Sequence, residues 1–443
     1  MALSNIWANS AYRNSIAFSQ RSAHRAWRKL YLTEVANSPT FGTYQIIVRT
    51  NREGNQMRIT RIEERSVKLN GDIANALVNF SEHTISLVQI HTDVVRHGKT
   101  VTGVAFNSIG RFAQSGILRD RMIPRLMNEA PHALLTDDGS RLDPARVLAC
   151  AMKNEKPGGH GDRAAAAGAL ELAVWDLNAK ITDEPAYLTI ARHFKREVHS
   201  KRVPVYAAGG YYYPQGDADR LQSEMQQYRE MGFTAFKMKI GGAPLEQDLA
   251  RIEAALTVAG DGSRLSVDAN GRFDLKTALT YAHAMEPYRL RWFEEVGDPL
   301  DLVLNREITD AYGGAVATGE NLFSSHDVKN LVLFGGMRPK LDIFQMDAGL
   351  SYGITEYVRM LEQLETSGFD RLFAYPHGGH LINLHIATGL GLGGCEAYPG
   401  VFQPFGGYSP DCRLDGGYVE PTDAPGFGLE QKPGLDKLIS NQT

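Results

Sequence analysis

Hydrophobic and polar positions follow two different rhythms along this chain. From Met57 to about residue 115 they alternate with the two-residue period of half-buried strands. Met57-Arg58-Ile59-Thr60-Arg61-Ile62-Glu63 reads as a first strand. Ser86–His91 and Val101–Phe106 read as two more, joined by a hairpin turn at His97-Gly98-Lys99. Residues 119–195 change to helical spacing, with a start signal at Leu142-Asp143-Pro144 and a long Ala- and Leu-rich helix from Ala164 to Lys180. Strands followed by helices without alternation predict a small α+β domain. After Arg202, short β-branched or aromatic runs alternate with helical stretches. The predicted strands are Val203–Ala208, Ala235–Ile240, Arg264–Asp268, Arg291–Glu294, Ala315–Glu320, Asp342–Asp347, Leu372–His377 and Gly394–Ala397. Eight such units predict an α/β fold, a modified TIM-like (β/α)-barrel.

The expected organisation is an extension outside the fold at 1–56, an α+β capping domain at 57–200, a catalytic barrel at 201–398, and a tail at 399–443. The Gly- and Pro-rich tail lacks further periodicity and is expected to return to the capping domain. Residues 1–33 hold no Asp or Glu, while Arg13, Arg21, Arg25, Arg28 and Lys29 are interleaved with five serines. That composition suits either a start codon set too early on a cytoplasmic protein or a mitochondrial transit peptide. The formal charge of −4 excludes a strongly basic nucleic-acid footprint. No apolar run approaches the roughly 18 residues of a membrane span. Cys150, Cys395 and Cys412 lie far apart, without the spacing of a disulfide framework or a zinc module.

Reactive groups of a (β/α)-barrel sit where strands end, at its C-terminal face. Three predicted strands end in carboxylates. Asp268, Glu294 and Glu320 are 26 residues apart and then 26 again, about one β/α unit. Three carboxylates converging in one mouth repel each other unless a cation joins them, and a hard ion with oxygen ligands, Mg²⁺, meets that need. Lys237-Met238-Lys239 puts two lysines on one face of an internal strand. Neighbouring positive charges and a metal are expected to lower a lysine's pKa and make it usable as a base. The seventh strand leads into His377-Gly378-Gly379-His380, and Asp347 at the end of the sixth is placed to hold His377 in one tautomer. A zinc reading of the His-x-x-His pair lacks the helix and glutamate of a metalloprotease. Glu396 adds a carboxylate from the eighth strand. Such a set suits removal of a proton next to a carboxylate, followed by racemisation or by loss of a β-hydroxyl.

Lys237-x-Lys239, Asp268-x-Asn270, Glu294, Glu320, the Asp347/His377 pair and Glu396 together resemble the enolase superfamily, mandelate racemase subgroup. Leu170-Glu171-Leu172-Ala173-Val174-Trp175-Asp176-Leu177-Asn178-Ala179-Lys180 is similar to that subgroup's helix signature, departing at Val174 and again at Asp183-Glu184-Pro185-Ala186. The resemblance implies a Mg²⁺ site at Asp268, Glu294 and Glu320, with Asn270 behind it. It also implies Lys239 as the base, His377 as the acid, Asp347 as its orienting partner, and Lys237 and Glu396 as substrate contacts. Asp72–Ala76, Phe106–Arg111, Lys156–His160 and Tyr375–His380 are similar to the branch that dehydrates D-tartrate to oxaloacetate. Asn75, Asn107 and Lys156 are then the candidates for reading the distal end of a dicarboxylic acid. Tyr211-Tyr212-Tyr213 is a further candidate lining. The alternatives are a dehydratase or epimerase for a longer acid sugar and a non-catalytic barrel, the last disfavoured because every expected ligand position is filled. A homo-oligomer is expected, and neither nucleic acid nor membrane as partner.

Overall fold

The computed structural model describes residues 56–69, 73–213 and 217–440. The expected N-terminal extension, apart from Gln56, lies outside the described residues. Ile59–Lys68 (β1), Thr84–Arg96 (β2) and Lys99–Phe106 (β3) form an antiparallel sheet in that order. The β2–β3 hairpin turns on His97 and Gly98, both with positive φ (48° and 75°), as a two-residue primed turn requires.

The sheet packs on the helix Asp162–Ile181, whose side chains are buried along almost its whole length. Small residues on that helix let it approach the barrel closely. A Cβ at Gly168 would lie 2.9 Å from the Ala348 carbonyl oxygen, in the loop that carries Asp347. Two acids on the same helix fix what surrounds it. Glu171 accepts hydrogen bonds from Ile354 N (2.8 Å) and Thr355 N (3.0 Å), capping the barrel helix Ile354–Thr366. Asp176 accepts from Val104 N on β3 and Phe427 N in the tail, both at 2.7 Å. The helix signature read in the sequence is therefore a set of joints between capping domain, barrel and tail.

Val203–Ala208 (β4), Phe236–Lys239 (β5), Leu265–Asp268 (β6), Phe293–Glu294 (β7), Val316–Thr318 (β8) and Ile343–Phe344 (β9) pair in parallel, each with the next. Cys395–Ala397 (β10) pairs in parallel with β4. The seventh position departs from expectation. Residues Arg371–Phe373 form a 3₁₀ turn, with Asp370 accepting from Leu372 N, and only Ala374 bridges to Phe344. Pro376 follows and has no N–H for a ladder. Tyr375 N donates to Phe344 O and Glu396 N to Pro376 O, so this short segment still closes the barrel.

The tail adds Arg413–Asp415 (β11) and Tyr418–Glu420 (β12), and β12 pairs antiparallel with β4. It also reaches the capping sheet, where Gln89 Nε2 donates to Ile439 O at 3.3 Å. Among the described residues, no helix is long and apolar enough to cross a membrane.

His385 lies inside the fully buried helix Leu381–Leu390, where its Nδ1 accepts from Tyr187 N at 3.3 Å. Burial pushes its pKa down to about 3. Below its ordinary pKa near 6.5 the unfolded chain takes up a proton that the folded chain refuses, so stability falls with pH through this window. His385→Gln keeps an acceptor for Tyr187 but cannot protonate. It is expected to shrink the stability difference between pH 7 and pH 5 by about 2 kcal/mol, read from urea midpoints. An unchanged difference would place that acid sensitivity elsewhere.

Candidate active site

Parallel register builds the floor of the barrel mouth. Lys239 on β5 stands opposite Asp268 on β6, and Asp268 opposite Glu294 on β7. Glu320 follows just after β8. Oxygens of Asp268, Glu294 and Glu320 all lie within 4.8 Å of one another, and among the described residues this is the one such cluster of potential metal ligands. A largely buried, all-carboxylate donor set of this span fits a hard divalent ion. Asn270, held at φ 49° by Asp268, which accepts from its backbone N–H (2.8 Å), adds a buried Oδ1 without a hydrogen-bond partner among the described residues. That orphaned acceptor also suits a hydrated cation. His377, His380 and His385 share no such cluster: His380 Nε2 lies 3.0 Å from Ser108 Oγ, and His385 is inside its helix.

The two lysines share a face, as period 2 requires, but they meet carboxylates rather than each other. Lys239 Nζ is 2.5 Å from Asp268 Oδ2; Lys237 Nζ is 2.5 Å from Glu294 Oε1 and 2.6 Å from Glu396 Oε1. The expected lowering of a lysine pKa is reversed here. Burial alone would push Lys239 down, but Asp268 beside it more than offsets this and holds the ammonium above the usual lysine range. Burial and the neighbouring acids Asp268, Glu396 and Glu320 raise Glu294 to about 7 against the opposing pull of Lys237.

His377 emerges from the seventh position. Its Nδ1 lies 3.3 Å from Asp347 Oδ2, and its Nε2 lies 3.1 Å from Tyr398 Oη and 3.6 Å from Glu320 Oε2. Burial disfavours its charge, yet Glu320, Asp347 and Glu396 raise its pKa to about 10. The next residue must be glycine. At Gly378 φ is 105° and a Cβ would lie 2.6 Å from Asp347 Oδ2, while its N–H donates to Glu396 Oε2 at 2.8 Å.

Above this floor is a cavity of about 210 Å³. Lys239, Asn270, Glu320 and His377 line it from the barrel; Asn75, Leu77, Val78, Phe80 and Arg111 line it from the capping side. Of the three distal candidates, only Asn75 reaches it, with its Oδ1 accepting from Leu77 N and Val78 N. Asn107 is fully buried and occupied: Oδ1 accepts from Ser86 N, and Nδ2 donates to Arg111 O at 3.0 Å. It shapes the loop instead of facing the cavity. Lys156 lines a separate cavity, because Arg163 takes the Lys156 and Gly158 carbonyls and turns this loop outward. Lys237 and Glu396 lie beneath the cavity, each buried in the ion-pair network. Of the tyrosine triplet, Tyr211 lines the cavity; Tyr212 and Tyr213 donate to Asp248 and Glu224 instead.

Two cavity groups were not singled out from the sequence. Arg111 Nη2 donates to Asn321 Oδ1 (2.8 Å), whose Nδ2 in turn donates to Glu295 Oε1 (2.7 Å), and the guanidinium lies over the Phe323 ring. Arg111 closes the Phe106–Arg111 stretch, so a signal existed for it. Tyr398 lies two residues after Glu396, in a segment whose pattern carried no signal.

Residues 220–434 match the family described as enolase C-terminal domain-like. Arabinonate dehydratase of Saccharolobus solfataricus is 25% identical over 287 residues, covering 63% of this chain and 73% of that protein. The 3,6-anhydro-alpha-L-galactonate cycloisomerase of Streptomyces coelicolor is 29% identical over 285 residues, covering 61% and 70%. The fold is that of L-talarate dehydratase from Polaromonas sp. JS666, solved with Mg and L-glucarate, at a TM-score of 0.68 and 22% identity, covering 86% of this chain and 97% of that one. The segment that carries Lys239, the three clustered carboxylates, Asp347, His377 and Glu396 thus matches the enolase C-terminal domain-like family.

Proposed function

We propose that this protein is a Mg²⁺-dependent hydro-lyase for hydroxy acids, and that its substrate is a short dicarboxylic acid, D-tartrate, converted to oxaloacetate. The observation that carries this reading is the placement of Lys239 and His377 in one cavity, at strand positions two and seven, with the carboxylates of positions three to five between them. Asp268, Glu294 and Glu320 would hold Mg²⁺, which supplies a Lewis acid for the substrate carboxylate and stabilises the charge that develops at the α-carbon. Lys239 takes the α-proton at Nζ, which requires a neutral amine. The Asp268 carboxylate that keeps it charged is the same one a cation would engage. His377, oriented by Asp347, gives a proton to the β-hydroxyl, which leaves as water with its C–O bonding pair. The enol that remains ketonises to oxaloacetate.

Two features support a short substrate. The cavity is about 210 Å³, below the roughly 300 Å³ at which pockets for drug-sized ligands begin. Arg111 supplies a guanidinium on the capping side, suited to the second carboxylate of a diacid. The second reading is dehydration of a longer acid sugar, favoured by relatives named for arabinonate and talarate.

Incubating the protein and Mg²⁺ with D-, L- and meso-tartrate, five-carbon aldonates and six-carbon aldarates, and detecting 2-keto acids, separates the two readings. Oxaloacetate from D-tartrate alone, lost on chelation, is the expected result. Keto acid from the longer acids without turnover of D-tartrate would overturn the tartrate assignment and leave the hydro-lyase reading. No keto acid from any of them would overturn both.

A further inference from the structure

A further cavity, of about 500 Å³, lies between the tail and the barrel, behind β10. Its walls are largely apolar, with Phe233, Pro399, Leu414 and Val419 among them. Lys432 also lines it and is only 4% exposed. The ammonium makes one hydrogen bond, donating to Gln403 Oε1 at 3.0 Å, and no carboxylate pairs with it among the described residues. Three donors with one acceptor leave the group under-satisfied. A buried charge without a counter-charge is costly, and buried charges are as a rule paired.

The other buried cations among the described residues follow that rule, Arg371 with Glu365 for one. Lys237 meets Glu294 and Glu396, Lys239 meets Asp268, and Arg251 meets Asp217 and Asp248. Lys432 departs from it while opening onto a cavity large enough for a small molecule. We infer that this cavity is a binding site for a small organic anion, a carboxylate with an apolar body, whose charged end pairs with Lys432 and whose body lies against Phe233, Leu414 and Val419. Burial holds the Lys432 amine down to about 8, the Cys412 thiol being the one titratable neighbour acting on it, so a bound carboxylate would also stabilise its charged form.

The site shares no residue with the cavity of Lys239 and His377. Thermal unfolding of the full chain with Mg²⁺, titrated with hexanoate, inorganic phosphate or hexanol, tests the inference. Hexanoate is expected to raise Tm more than phosphate, which lacks the apolar body, or hexanol, which lacks the charge. In Lys432→Met, which replaces an unpaired buried charge by an apolar chain of similar length, hexanoate binding is expected to weaken by roughly tenfold or more. Lys432→Gln serves the same purpose should the methionine variant not fold. An unchanged hexanoate response in these variants would place the ligand elsewhere and overturn the inference. Equal responses to hexanoate and hexanol, or none to hexanoate, would overturn it too; a phosphate response as large as that to hexanoate would overturn the assigned ligand class.

Discussion

Lys239→Met is expected to lower kcat/KM on D-tartrate by about three orders of magnitude and to stop exchange of the α-proton with deuterated solvent. Both losses have one cause, because no proton leaves Cα without a base. Lys237 cannot take over. It is 1% exposed, lies outside the cavity lining, and its Nζ is held between Glu294 and Glu396. Methionine preserves the length of the side chain and its packing against the Tyr211 ring, which lies 5.4 Å from Nζ. Mg²⁺ affinity measured on the same variant separates loss of the base from damage to Asp268, the carboxylate Lys239 touches. Persistent exchange in a folded, Mg²⁺-binding Lys239→Met protein would show that another group removes the proton.

His377→Asn has a different expected signature. Dehydration should fall by about 10²- to 10⁴-fold, while exchange of the α-proton with solvent continues, because the proposed base remains and only the proposed acid for the leaving hydroxyl is lost. The neighbouring Asn383 offers no substitute, since a neutral amide does not give up a proton near neutral pH and its Nδ2 donates to the His377 carbonyl. Proton NMR of recovered D-tartrate in deuterated buffer reads exchange, and oxaloacetate formation reads dehydration. Parallel loss of both would place His377 in proton abstraction. The Asp347 and Tyr398 contacts at the two ring nitrogens make orientation part of the residue's role, so KM is expected to change far less than kcat.

Much of this site was legible in the sequence because strand periodicity and the β/α repeat are local rules. Period 2 in Lys237-Met238-Lys239 put both lysines on one face, and the parallel register then set Lys239 against Asp268. The repeat length brought Asp268, Glu294 and Glu320 into one cluster. The Asp347/His377 pairing was likewise read from strand ends and is present at 3.3 Å. The seventh strand was misread because Leu372-Phe373-Ala374 looks apolar enough for a strand. Asp370 captures Leu372 N and Pro376 withholds a donor, leaving a turn and a single bridge.

The loops resisted reading for a different reason. Whether Asn107 or Lys156 reaches the cavity of Lys239 and His377 depends on which neighbouring groups need hydrogen-bond partners. Asn107 is consumed by Ser86 and Arg111, and the Lys156 loop is turned away by Arg163. The same holds for protonation. A pair of adjacent lysines suggests mutual repulsion and lowered pKa values, yet each found carboxylates from other strands, and Lys239 is raised.

The barrel, the capping sheet, the carboxylate cluster and the side of the barrel on which the polar groups stand were all legible in local pattern. These follow from periodicity, repeat length and turn chemistry, all of which act within a few tens of residues. Which capping residues reach the cavity, how each charge is compensated, and that Lys432 is buried with no carboxylate beside it among the described residues all emerge in the folded chain. Those outcomes depend on which side chains and backbone groups the fold brings together, where burial and hydrogen-bond satisfaction, not local pattern, set the free energy.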